Sequence, residues 1–168
     1  LISPPRFGLS KDIYVYNKEQ KIKSKGIKSI KYMNSAMSNE LYDLRDNNYE
    51  YFMDLLLDIE NKTSVNVRQL DLLIKIDYFM MFGNCNELLR IEELFNFFKC
   101  GEAKSVTKTK VKSDALRSII SKYSTDRNKD GSESKSYTIK DMHGLLIECE
   151  KYIKSLNIKD LDYRLKCA

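Results

Sequence analysis

From Val65 to Gly83 the chain reads VNVRQLDLLIKIDYFMMFG, with Val67, Leu70, Leu73, Ile74 and Tyr78 at the three-and-four spacing of one helical face. This spacing predicts a buried helix, started by a capping Asn66 and continued in apolar content through Ile76, Phe79, Met80 and Phe82. Gly83, a residue type that ends helices through a left-handed cap, is expected to close it. Similar faces recur on both sides. Phe52, Leu55, Leu56 and Ile59 predict a helix within 49–59, and Leu88, Leu89, Ile91, Leu94, Phe95 and Phe98 a strongly apolar one after Gly83. Ile27 and Ile30, a break near Asn34 and Ser35, then Met37, Leu41 and Leu44 predict two short helices joined by a tight turn.

The flanks are different. Pro4 and Pro5 resist helix, and Ile13, Val15 and Ile22 around a turn at 17–20 predict an extended lead-in or a short hairpin. Residues 99–112 hold five lysines against one Glu with little periodicity, as expected of a basic linker. A helix is expected over 111–123 through Leu116, Ile119 and Ile120, and the polar stretch 124–136 as an exposed loop. A long helix is expected from about Thr138 through Met142, Leu145, Leu146, Cys149, Ile153 and Leu156. The chain is therefore expected to be mainly α: a lead-in over 1–26, a helical unit over 27–98, a linker over 99–110 and a helical hairpin over 111–168.

Composition adds bulk and a mild charge. The chain has 168 residues and 42% hydrophobic content, enough for one real core, with eleven Tyr and seven Phe to fill it. Lys and Arg exceed Asp and Glu by five, which suits a polyanion partner without requiring one. Cys85, Cys100, Cys149 and Cys167 form no CxxC pair, and the single His143 has no Cys or His near it in sequence. Neither zinc nor a disulfide framework is indicated, no cofactor is expected, and reduced thiols in a cytoplasmic protein are the default. Lys75 and Asp77 break the longest apolar runs, so no membrane span is expected. A start at Leu1 rather than Met suits an excised fragment of a longer protein, expected to be monomeric.

Val65, Asn66, Arg68, Leu70, Leu73, Ile74, Lys75 and Phe79, closing on Gly83 and Asn84, resemble the region after the fingers in the α subunit of bacterial DNA polymerase III, the C-family replicative polymerase. Upstream, Pro4, Pro5, Ser10, Gly26, Ile30 and Lys31 fall in the family's order at similar spacing. The resemblance covers roughly residues 1–95 and fades after about residue 100. It implies a helix-hairpin-helix at 27–45, a motif that points backbone N–H groups at a DNA phosphate. Where the family has a glycine-containing turn after its Lys, this chain has Lys31, Tyr32, Met33 and Asn34, so the hairpin is degenerate.

Lys18, Lys21, Lys23, Lys25, Lys28 and Lys31 stand against only Glu19 over 18–31. Lysines make sequence-independent phosphate contacts, and a solvated basic face is the competing explanation. With the resemblance, Lys23, Lys25, Lys28, Lys31, Asn34 and Ser35 are the expected contacts to duplex DNA, and the other domains of a parent polymerase are further expected partners. The family's metal-binding palm carboxylates would lie upstream of Leu1, so no catalysis is expected of this chain. The alternative is a scaffold that docks a protein partner through 111–160 and no longer binds DNA, with an exposed apolar patch there.

Two short motifs compete for attention. Asp126, Asn128, Asp130 and Gly131 match the first half of an EF-hand loop, but the twelfth position is Tyr137 rather than a bidentate Glu, so a polar loop is expected and a calcium-responsive module is the weakest reading. Gln69, Leu70, Asp71, Leu72 and Leu73 resemble a sliding-clamp docking peptide. Such peptides bind extended, whereas Leu70 and Leu73 are needed inside, where each burial is worth roughly 1.5–3 kcal/mol.

Overall fold

The computed structural model describes residues 2–10, 15–17, 22–24, 26, 33–99 and 105–158. The chain is mainly α-helical, and its described residues divide into two compact units, one within residues 1–89 and one over residues 90–158.

In the first unit, β1 (Ile2–Ser3) runs parallel to β3 (Ile22–Ser24), which pairs antiparallel with β2 (Val15–Asn17). The expected N-terminal hairpin is therefore present, as β2 and β3. Helices α1 (Ser35–Asp43), α2 (Phe52–Lys62) and α3 (Val67–Lys75) follow. Met37 and Leu41 of α1, Phe52, Leu55, Leu56 and Ile59 of α2, and Leu70, Leu73 and Ile74 of α3 are buried, as their spacing requires. The first helix expected of the helix-hairpin-helix, at Ile27 and Ile30, lies outside the described residues.

The central helix is shorter than the apolar run suggests. Asp77 adopts φ 62°, its amide donates to the Ile74 carbonyl at 3.1 Å, and the Tyr78 amide reaches back to Leu73 at 3.0 Å. These two bonds form a Schellman ending with Asp in the left-handed position, which short polar side chains tolerate. Tyr78 and Leu73 are both fully buried, and the Tyr78 ring meets Phe79 edge-on with centroids 4.8 Å apart. Gly83 instead closes a separate 3-10 turn, Met80–Phe82. Val67, expected inward, is 57% exposed because it occupies the first helical position, beyond the packed face.

Helix α4 (Cys85–Lys99) is capped by Asn84, whose Oδ1 accepts the Glu87 amide at 2.9 Å. The division between the units falls inside α4, not in the basic stretch expected as a linker. That stretch contains β4 (Ser105–Thr107), which pairs antiparallel with β6 (Glu133–Ile139). The segment expected as an exposed loop is also structured: β5 (Ser124–Arg127) pairs antiparallel with β6, giving the order β4-β6-β5. Gly131, at φ 85°, makes the turn between them, where the Asn128 amide donates to the Ser132 carbonyl at 2.8 Å. Tyr137 and Ile139 point inward from β6 and Val106 from β4, which gives the sheet one buried face.

Helices α5 (Asp114–Lys122) and α6 (Met142–Ser155) flank this hairpin. Helix α6 begins at Met142, later than Thr138, because Thr138 is still paired with Ser105. Asp141 caps it by accepting the Gly144 amide at 3.0 Å. A side chain on Gly144 would collide with the Asp141 carboxylate and the Tyr123 ring, so glycine permits this close approach.

Candidate functional site

Of the six expected DNA contacts, Lys25, Lys28 and Lys31 lie outside the described residues. Lys23 is on β3. Asn34 and Ser35 form the N-terminus of α1, at the point where the hairpin turn was expected to end. Asn34 is extended (φ −124°) rather than left-handed, and its Oδ1 accepts the Met37 amide at 2.9 Å. The Asn34 carbonyl accepts both the Ser38 amide and the Ser38 hydroxyl, at 3.1 and 2.8 Å. This locks the first turn while leaving the Ser35 and Ala36 amides outside the intrahelical ladder, as the first positions of any helix must be.

The first turn of α1 carries no acidic residue, so the positive end of its dipole is not neutralised there. The surrounding body is acidic: residues 33–89 contain ten Asp or Glu against four Lys or Arg. Several of these carboxylates are engaged locally. Glu40 accepts the Ser64 amide at 2.7 Å, Asp58 accepts the Tyr49 hydroxyl at 2.6 Å and lies 3.3 Å from Lys62, and Asp71 lies 2.8 Å from Lys75. The lysine-rich stretch 18–31 is thus the cationic part of a unit whose helical body would repel a polyanion.

The two competing motifs are consumed by the fold. Gln69 closes a reciprocal capping box with Asn66, each side chain accepting the other's amide at 2.9 Å, and Leu70 and Leu73 are buried. The clamp-like pentapeptide is therefore a helix start and core face, not an extended segment. The EF-like residues occupy the β5–β6 hairpin. Asp130 Oδ1 accepts the Ser132 amide and hydroxyl, at 3.0 and 2.6 Å, which hold its carboxyl below the usual range. Asp126 and Glu133 converge on the Lys108 ammonium at 3.2 and 3.0 Å. Desolvation works against that charge, but the two carboxylates outweigh it and hold the Lys108 pKa above its ordinary value. Among the described residues no group of three or more His, Cys, Asp or Glu is placed to hold a metal ion.

Among the thiols, Cys149 is fully buried on α6, and burial pushes its pKa up to about 12. It stays protonated at neutral pH and behaves as a small core hydrophobe.

One concave feature was not visible as a site in the sequence. Within residues 90–158, a cleft of about 430 Å³ is floored by Leu94, Val111, Leu116, Ile120 and Ile153 and walled by Phe97, which is 39% exposed. Arg90, Lys110 and Lys112 rim it, with Glu93 as the one acidic lining residue. Phe97, Lys110 and Glu93 also border a second recess that continues to Ser105, Val106 and Thr107 of β4. The only linear signal was the helical stripe of Arg90, Leu94 and Phe97; its partners come from 110–120 and 153 and meet it only in the folded unit.

No protein-family model, curated protein or solved structure matches this chain. Among the described residues, no helix is long and apolar enough to cross a membrane.

Proposed function

We propose that this chain is a non-catalytic, duplex-DNA-contacting part of a bacterial DNA polymerase III α-like replicative subunit, holding the phosphate backbone without reading sequence. The observation that carries the reading is the start of α1. Asn34 caps a helix with no acid in its first turn, directly after the lysine-rich stretch, where the resemblance puts the phosphate-binding turn. A helix N-terminus with nearby ammonium groups is suited to a phosphate oxygen, and such contacts carry no base information. Polymerisation itself would belong to palm carboxylates elsewhere in the parent protein.

The acidic composition of residues 33–89 sharpens the test, because binding would depend on the lysine-rich stretch 18–31. Fluorescence anisotropy of a labelled duplex should give an affinity that falls steeply with salt. The double variant Lys28→Glu/Lys31→Glu should weaken binding and reduce the log–log salt slope by about one for each phosphate it no longer neutralises. Equal affinity for the variant and the parent chain would overturn the reading.

A further inference from the structure

We infer that the cleft between α4, α5 and α6 in residues 90–158 docks an acidic, amphipathic helical segment of a partner protein. The inference stands on this unit alone and does not depend on DNA contact by the other. A cleft of about 430 Å³ is within the usual size of ligand-binding recesses, roughly 300–1,000 Å³, and its floor is aliphatic. Phe97 stands at its edge with a large apolar ring 39% exposed, braced edge-to-face by Phe98 at 5.1 Å. An aromatic anchor beside an apolar recess is the usual centre of a protein-binding patch.

Charge selects the occupant. Three cations and one carboxylate line the cleft, and among the described residues Arg90, Lys110 and Lys112 take part in no ion pair. Elsewhere in the unit Lys108 is paired with Asp126 and Glu133, and Lys122 with Glu148. Residues 90–158 hold fourteen Lys or Arg against ten Asp or Glu, whereas residues 1–89 hold twelve of each, so the basic excess belongs largely to this unit. A partner with apolar residues on one face and carboxylates along its border would fill the recess and pair the rim.

The same observations disfavour other occupants. A second copy related by a two-fold axis would bring Arg90, Lys110 and Lys112 against themselves. Nucleobases would bury polar edges against Leu94, Val111, Leu116 and Ile153, which offer them no side-chain hydrogen bonds.

The test uses the whole chain and a labelled amphipathic peptide of about four helical turns, with Leu and Phe at i, i+3, i+4 and i+7 and Glu on both borders. A second peptide has every Glu replaced by Lys. The acidic peptide should bind at least about tenfold more tightly than the basic one, with salt-sensitive affinity. Phe97→Ala, and separately Lys110→Glu/Lys112→Glu, should each weaken it by about tenfold or more. Lys110 and Lys112 are exposed, so Lys110→Glu/Lys112→Glu should keep the parent melting temperature, which separates lost docking from lost folding. Equal binding of the two peptides, binding of neither, or indifference to both variants would overturn the inference. So would self-association in sedimentation that Phe97→Ala abolishes, or a single-stranded oligonucleotide that binds in place of the peptide and loses affinity on Phe97→Ala. Lys28→Glu/Lys31→Glu should leave peptide binding unchanged, which separates this outcome from that of the DNA reading.

Discussion

The Phe7 amide donates to the Tyr78 carbonyl at 2.8 Å, and the two rings meet edge-on with centroids 6.2 Å apart. The pairing joins the N-terminal segment to the turn that follows α3. Phe7 also lies against Tyr49, Phe79 and Phe82, at centroid distances of 5.9 to 6.3 Å. Replacing Phe7 with Ala removes the ring common to this cluster and should destabilise residues 1–89 by about 3 kcal/mol or more, measured by urea unfolding. A loss below about 1 kcal/mol would mean that the N-terminal segment is not part of this core.

Tyr78 is the least comfortable member of the cluster. Its hydroxyl is buried with no hydrogen-bond partner among the described residues, and burial pushes its pKa well above the ordinary value. Removing an unpaired buried polar atom without changing the ring should relieve a desolvation cost. Tyr78→Phe is therefore expected to raise stability by about 1 kcal/mol, read as a higher denaturant midpoint at unchanged slope. A lower midpoint would show that the hydroxyl is paired in solution.

The start of α3 rests on a reciprocal pair, Asn66 and Gln69, which together satisfy two amides. Asn66→Ala should cost about 1 kcal/mol, and Asn66→Ser should recover most of it because serine also accepts from the third helical amide. Equal losses in both variants would indicate that the amide side chain serves another purpose.

Glu148 ties α6 to the end of α5. Its carboxylate accepts from the Lys122 ammonium at 2.8 Å and from the Tyr123 hydroxyl, and these bonds, Lys122 first, hold its pKa below the ordinary 4.5. A carboxyl whose folded value lies below its unfolded value adds stability above the unfolded value and loses it as pH falls through the folded one. Glu148→Gln should therefore melt below the parent chain at pH 7, with the gap closing as the pH falls below about 4.5. A gap that persists in acid would mean that packing, rather than charge, is what Glu148 provides.

The amino-acid order by itself determined the helices and much of the first core. Leu70, Leu73 and Ile74, or Leu145, Leu146, Cys149 and Ile153, repeat every three or four residues, and a helix is bonded within its own segment, so the pattern carries its own partner. It also marked Asn66 as the site of a helix start, because capping is local too, whereas Asn34 reads as a break between helices and caps α1 only in the folded chain. Tertiary structure alone decided the second sheet. Ser124–Arg127 and the polar half of Glu133–Ile139 carry little apolar alternation, and become strands because Tyr137 finds Val106 opposite it, thirty-one residues earlier in a stretch that looks like linker. The same holds for the ending at Asp77, where a left-handed aspartate replaces the glycine that would have announced it, and for the cleft, whose floor is gathered from α4, α5, α6 and Val111 ahead of α5. A strand edge or a cleft takes its partners from distant positions, and no local periodicity encodes them.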